Sequence, residues 1–109
     1  MIKVIMLMKR RPGMTISEFR DYYENNHRVI GEKYLNGFAV KYIRRFINPL
    51  VDRSGNLNDP EYDVLMEIWY PDEKTLEACG KKLSEPEIAK EIREDEEKIF
   101  DTRFMRSYT

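Results

Sequence analysis

Two stretches of this chain read as strands that are apolar on both faces, and this limits the possible folds more than any other feature. Side chains alternate between the two faces of a strand. In Ile2-Lys3-Val4-Ile5-Met6-Leu7-Met8, one face receives Ile2, Val4, Met6 and Met8, and the other receives Ile5 and Leu7. The run Tyr62 to Tyr70, YDVLMEIWY, has the same habit, with Val64, Met66 and Ile68 set against Leu65 and Trp69. Both sides of a sheet built from such strands need cover. A bare apolar face would form a large exposed patch, which soluble monomers seldom carry.

The rest of the chain supplies cover for one side only. Thr15 with Glu18 three residues on has the form of a capping box and starts a helix. Phe19, Tyr23, His27, Ile30 and Tyr34 recur at helical spacing along it, and Asn36-Gly37 ends it. Phe38 to Ile47 reads as a second strand, and the Asn-, Asp- and Pro-rich stretch Asn48 to Pro60 as a loop. After the strand Tyr62 to Tyr70, Pro71-Asp72 opens a helix carrying Leu76, Cys79 and Leu83. Ser84 is expected to cap a further helix with Pro86 in its first turn and Ile88, Ile92 and Ile99 on one side. Thr102 to Tyr108 reads as a closing strand. The charge run Arg93 to Lys98 is expected to be a solvated helix face; Asp95 and Glu96 fall near its apolar side, where an inward carboxylate is the exception.

The order β-α-β-β-α-(α)-β is the ferredoxin-like arrangement, an α+β fold in which the helices cover one face of an antiparallel four-stranded sheet. A second copy packed through a two-fold axis would cover the other face, so a homodimer is expected. The 109 residues form a single domain, 1–109. With 19 basic and 20 acidic side chains the net charge is -1, and no basic excess points to nucleic acid. The apolar start is too short to span a membrane, and its basic cluster Lys9-Arg10-Arg11 follows rather than precedes it, the reverse of a secretory signal. Cys79 is the only cysteine. A cytoplasmic protein without membrane association is expected.

The opening IKVIMLMKRRPGMTISEFRDYYENNH resembles the start of the EthD family, part of the dimeric α+β barrel superfamily. The matching features are the basic turn Arg11-Pro12-Gly13 followed by Thr15, then Glu18-Phe19, Tyr22-Tyr23 and His27 in register. The family usually has H-x-P-L where this chain reads His27-Arg28-Val29-Ile30, so the helix is expected to run smoothly to Tyr34. The resemblance implies action on small, often aromatic or polyketide-derived molecules, with dehydratases and decarboxylases among the fungal relatives. The family is also loosely filed under oxidoreductases, so the reaction stays open.

His27 is the only histidine, and an imidazole can accept and return a proton near neutral pH. It is the candidate catalytic residue. Tyr22, Tyr23, Tyr34, Tyr42 and Trp69 are expected to approach the space between helix and sheet, where they would line a slot for a small aromatic or hydrophobic ligand. For any one of them an ordinary place in the core is the plainer reading. Asn26 and Arg44 are candidate polar anchors; Arg44 alternates with Tyr42 and Phe46. One His and one Cys lack metal-ligand spacing, G-x-G-x-x-G is absent, and no Ser sits in a nucleophile elbow. No metal and no cofactor are expected. A cofactor-independent lyase- or isomerase-type enzyme and a non-catalytic ligand-binding or accessory protein are the two functions in contention.

Overall fold

The computed structural model describes all 109 residues. Its elements are β1 (Ile2–Met8), α1 (Ile16–Tyr22), a π turn (Tyr23–His27), α2 (Arg28–Leu35), β2 (Lys41–Phe46), β3 (Val64–Tyr70), α3 (Glu73–Leu83), α4 (Pro86–Ile99), a 3-10 turn (Thr102–Phe104) and β4 (Arg106–Tyr108). The strands form one antiparallel sheet in the order β2-β3-β1-β4. This is the expected ferredoxin-like α+β arrangement.

Register decides what each face carries. Met8 pairs with Val64, Met6 with Met66 and Val4 with Ile68 across β1 and β3. This face meets the helices, and Met8, Val64, Met66, Ile68 and Tyr70 are buried there with Phe19, Tyr23, Leu35, Cys79, Ile99 and Phe100. The opposite face holds Ile5, Leu7, Ile43, Leu65, Trp69 and Tyr108, none of them buried. The two-sided apolar pattern of the strands is therefore real, and the chain by itself covers one side only.

The helix starts follow from local chemistry. Thr15 Oγ1 accepts from the Glu18 N–H and Glu18 Oε1 accepts from the Thr15 N–H, completing the capping box. Asp72 caps α3 by accepting from the Thr75 N–H at 2.7 Å.

Five expectations are corrected. The second strand begins at Lys41 rather than Phe38, because the Phe38 and Ala39 N–H groups turn back to the Leu35 carbonyl and finish the helix. Ser84 closes α3 rather than capping α4, its hydroxyl donating to the Gly80 carbonyl; Glu85 precedes Pro86 at the start of α4 without a side-chain cap. The closing strand shrinks to Arg106–Tyr108, since Asp101 accepts from the Arg103 N–H and folds Thr102–Phe104 into a 3-10 turn. The first helix does not run smoothly: Arg28 N–H bonds to the Tyr23 carbonyl five residues back, a π turn that ends on His27. Finally, the charge run on α4 is not wholly solvated, because Asp95 is only 6% exposed.

Candidate functional site

The π turn decides what surrounds His27. Neighbours on a regular helix point about 100° apart, so a narrow buried stripe takes one of two adjacent residues. Here Tyr22 and Tyr23 both reach inward: Tyr23 is fully buried, and the Tyr22 hydroxyl meets Asp95. His27 lies edge-on to the rings of Tyr23 and Phe100, at centroid distances of 5.2 and 5.1 Å. These contacts fix the plane of the imidazole.

Asp95 projects from α4 into the same place. Its Oδ2 lies 2.7 Å from His27 Nδ1, and its Oδ1 accepts from the Tyr22 hydroxyl at 2.6 Å. A carboxylate accepts, so His27 Nδ1 carries the proton and Nε2 is left with its lone pair. Nε2 has no hydrogen-bond partner in the protein. Burial lowers the His27 pKa below the usual 6.5, and Asp95 offsets only part of that effect. At neutral pH the ring is therefore a neutral base of fixed tautomer. Burial, reinforced by the Asp95 carboxylate, pushes the Tyr22 hydroxyl up to about 12, so it stays a donor.

His27 lines a cavity of about 350 Å³ between the helices and the sheet. Eleven of its fourteen lining residues are hydrophobic. Met6, Met8, Met66 and Ile68 form the floor; Ile30, Gly31, Tyr34 and Leu35 form one wall, and Ala89, Ile92 and Glu96 the other. Tyr42 enters from β2. Its hydroxyl lies 3.1 Å from that of Tyr23. Tyr23 is fully buried and has no other acceptor, so its hydroxyl donates to Tyr42; the reverse would strand a buried donor. The hydrogen of the Tyr42 hydroxyl is then free for a ligand.

Of the expected site residues, His27, Tyr34 and Tyr42 line this cavity. The Tyr34 hydroxyl donates to Glu91. Tyr22 acts one step away, through Asp95, and Tyr23 packs behind the imidazole and orients Tyr42. Three do not reach it. Trp69 lies on the opposite sheet face, under the ammonium groups of Lys3 and Lys41 at 4.1 and 4.4 Å, because its parity on β3 is that of Leu65. Arg44 shares the helix-side face with Tyr42, but its guanidinium is held by Glu24 at 2.7 Å. Asn26 is exposed, on the outer side of the π turn. Asp95 and Glu96, set near the apolar side of α4 with an inward carboxylate as the exception, both turn toward this site, Asp95 to His27 and Tyr22 and Glu96 to the cavity wall. A signal was present, since Asp95 completes the spacing Ile88, Ile92, Asp95, Ile99. No cluster of His, Cys, Asp or Glu is placed to hold a metal ion.

No helix is long and apolar enough to cross a membrane. A search of curated proteins finds no match. The fold is similar to the crystal structure of an ethyl tert-butyl ether D (EthD) family protein from Bacillus halodurans C-125, with a TM-score of 0.63 at 15% identity over 100% of this chain and 98% of that one. It is also similar to HapK from Hahella chejuensis (TM-score 0.56, 10% identity, 99% and 91% of the two chains). An uncharacterized NIPSNAP domain protein from Burkholderia xenovorans is similar too (0.52, 17%, 99% and 90%). At these identities the likenesses establish the fold alone. The family model of the EthD domain matches residues 11–103, which span the capping box, the π turn, His27 and Asp95, and the chain belongs to the EthD family.

Proposed function

We propose that this protein is a cofactor-independent acid–base enzyme acting on a small aromatic or enolisable substrate, with His27 as its general base. The observation that carries this reading is the divided environment of one imidazole. Nδ1 is locked on Asp95, while the unprotonated Nε2 is left over beside an apolar cavity. In such a site Nε2 takes a proton from a carbon next to a carbonyl, and the Asp95 carboxylate stabilises the imidazolium that forms. The free hydrogen of the Tyr42 hydroxyl donates to the developing oxyanion, a role Arg44 cannot take while held by Glu24. Return of the proton to another atom gives isomerisation, and return to a leaving hydroxyl gives dehydration. Cyclisation uses the same intermediate. The family assignment leaves the choice open.

Solvent deuterium exchange into 2-tetralone, an enolisable aromatic ketone, tests the reading by proton NMR in D₂O. The wild type accelerates exchange and His27→Gln does not. Equal exchange by the two refutes the base role. A second reading, a non-catalytic carrier of a small hydrophobic ligand, draws on the strongly apolar lining; binding without His27-dependent exchange favours it.

The working unit in this proposal is a homodimer, joined through the sheet face that carries Ile5, Leu7, Ile43, Leu65 and Trp69. Such an interface buries on the order of 1,600 Å² in total.

A further inference from the structure

We propose that the cavity selects neutral, hydroxyl-bearing apolar ligands and rejects carboxylates, and that Glu96 is the acceptor that reads the ligand hydroxyl. This rests on the cavity beside His27 being the ligand site, and it names the class of molecule that site takes.

Glu96 stands apart from the other acidic side chains of this region. Asp95 is held by Tyr22 and His27, Glu91 by Tyr34 and Lys33, and Glu24 by Arg44 and Arg28. Glu96 is half-buried and lines the cavity, and its carboxyl has no hydrogen bond or ion pair within the protein. A half-buried carboxyl facing an apolar space needs a partner, and this one finds none in its own chain. Burial first, and then the neighbouring Asp95 carboxylate, raise its pKa. A carboxyl oxygen accepts a hydrogen bond in either protonation state, so a ligand hydroxyl is read whether or not Glu96 is charged.

The charge balance of the walls excludes an anion. No Lys or Arg lines the cavity. The nearby cations are committed elsewhere, Arg44 to Glu24 at 2.7 Å and Lys33 to Glu91 at 3.4 Å. A ligand carboxylate would add a negative charge beside Asp95 and Glu96 with no counter-ion in reach, in a place where water screens poorly. A phenolic or enolic hydroxyl avoids that repulsion. It can donate to Glu96 or to His27 Nε2, and its oxygen can accept from Tyr42.

Met6, Met8 and Met66 line the cavity and provide reporters that do not depend on turnover. Protein labelled with ¹³C at the methionine methyl groups is titrated at neutral pH with 2-naphthol, 2-methoxynaphthalene and 2-naphthoate. We expect 2-naphthol to shift the three methyl signals and to bind at least tenfold more tightly than either analogue; tenfold is about 1.4 kcal/mol. In Glu96→Leu the preference of 2-naphthol over its methyl ether should fall to within twofold. Equal binding of 2-naphthoate and 2-naphthol by the wild type overturns the inference without recourse to any variant. An unchanged naphthol preference in folded Glu96→Leu overturns the role of Glu96. If none of the three probes shifts the methyl signals, this inference and the ligand-site reading beneath it fail together. Binding without discrimination removes this inference alone.

Discussion

Replacing Asp95 by Asn separates the charge of the carboxylate from its shape. Asp95 accepts two short hydrogen bonds, 2.6 Å from Tyr22 and 2.7 Å from His27, at a side chain 8% exposed beside an imidazole 12% exposed. A hydrogen bond to a charged group contributes about 1.5–3 kcal/mol and a neutral one about 0.5–1.5. Asn keeps both contacts as neutral ones, so each weakens by roughly 1–1.5 kcal/mol. Relief from burying a charge returns part of that sum, leaving an expected loss of about 1–2 kcal/mol. A domain of this size loses roughly 4–8 °C in Tm per kcal/mol. The chemical effect is larger. Asn has one acceptor oxygen and one NH₂, and Tyr22 still needs an acceptor. The NH₂ then faces Nδ1, and His27 flips to the tautomer with the proton on Nε2. A base in the wrong tautomer is inactive; a rate loss of about 10⁴ accompanies that change in the Ser-His-Asp triad of serine proteases. Long-range ¹H–¹⁵N NMR of the imidazole reads the tautomer directly, and thermal unfolding reads the stability. If Nε2 keeps its lone pair in Asp95→Asn and Tm is unchanged, Asp95 does not set the state of His27 and the proposed mechanism loses its basis.

Other perturbations follow from the same geometry. The folded-state pKa of His27 lies below the unfolded value near 6.5, so the unfolded chain binds the extra proton first. Stability is therefore full above that value and falls as the pH drops through it toward the folded pKa, and His27→Gln should abolish this loss in melts from pH 7.5 to 5.5. Glu96 has the opposite sign: its folded pKa is raised, so stability falls as pH rises from about 4.5 toward the folded value, and Glu96→Gln should raise Tm at neutral pH. Gly31→Ala would ordinarily stabilise a helix by about 1 kcal/mol. Here the new Cβ would meet the Tyr42 ring and hydroxyl at 2.9 Å, so differential scanning calorimetry should show a loss of about 1–3 kcal/mol instead. Sedimentation equilibrium should return twice the 13.2 kDa chain mass for the wild type and the single mass for Ile43→Glu; a monomeric wild type refutes the dimer.

Much of the fold was legible because short-range chemistry fixed it. Thr15 with Glu18, and Asp72 before Thr75, start helices by hydrogen bonds that a spacing of three residues announces. The two-sided strands announced an uncovered sheet face. Trp69 shows where legibility ended. Its parity with Leu65 was plain from the sequence, but which parity met the helices depended on the register between strands and on helix packing. Arg44 was on the predicted side, but its guanidinium is held by a partner 20 residues away, and no local pattern marks such a pair. For Asp95 the charge run outweighed the helix phase, and the inward position was held as the exception. A carboxylate inside a run of six charged residues reads as solvated, although its phase with Ile88, Ile92 and Ile99 placed it inward. Phase was the stronger signal, because it follows from helix geometry, whereas a charge run is only a tendency.

The π turn was the feature least open to prediction, and the site depends on it. Residues 23–27 contain neither Pro nor Gly, so nothing in their intrinsic preferences marks the distortion. Its cause lies in what must be buried at once. Tyr22 must reach Asp95, Tyr23 must fill the core between Phe19, Phe46 and Phe100, and His27 must stand above Tyr23 with Nδ1 on the same Asp95. A regular helix would turn Tyr22 away from the stripe that holds Tyr23 and His27, and the carboxylate would lose one of its two donors. Widening the helix by one residue keeps both. The π turn thus falls where Tyr22, His27 and Asp95 converge, and π turns in α-helices are frequently found at functional sites.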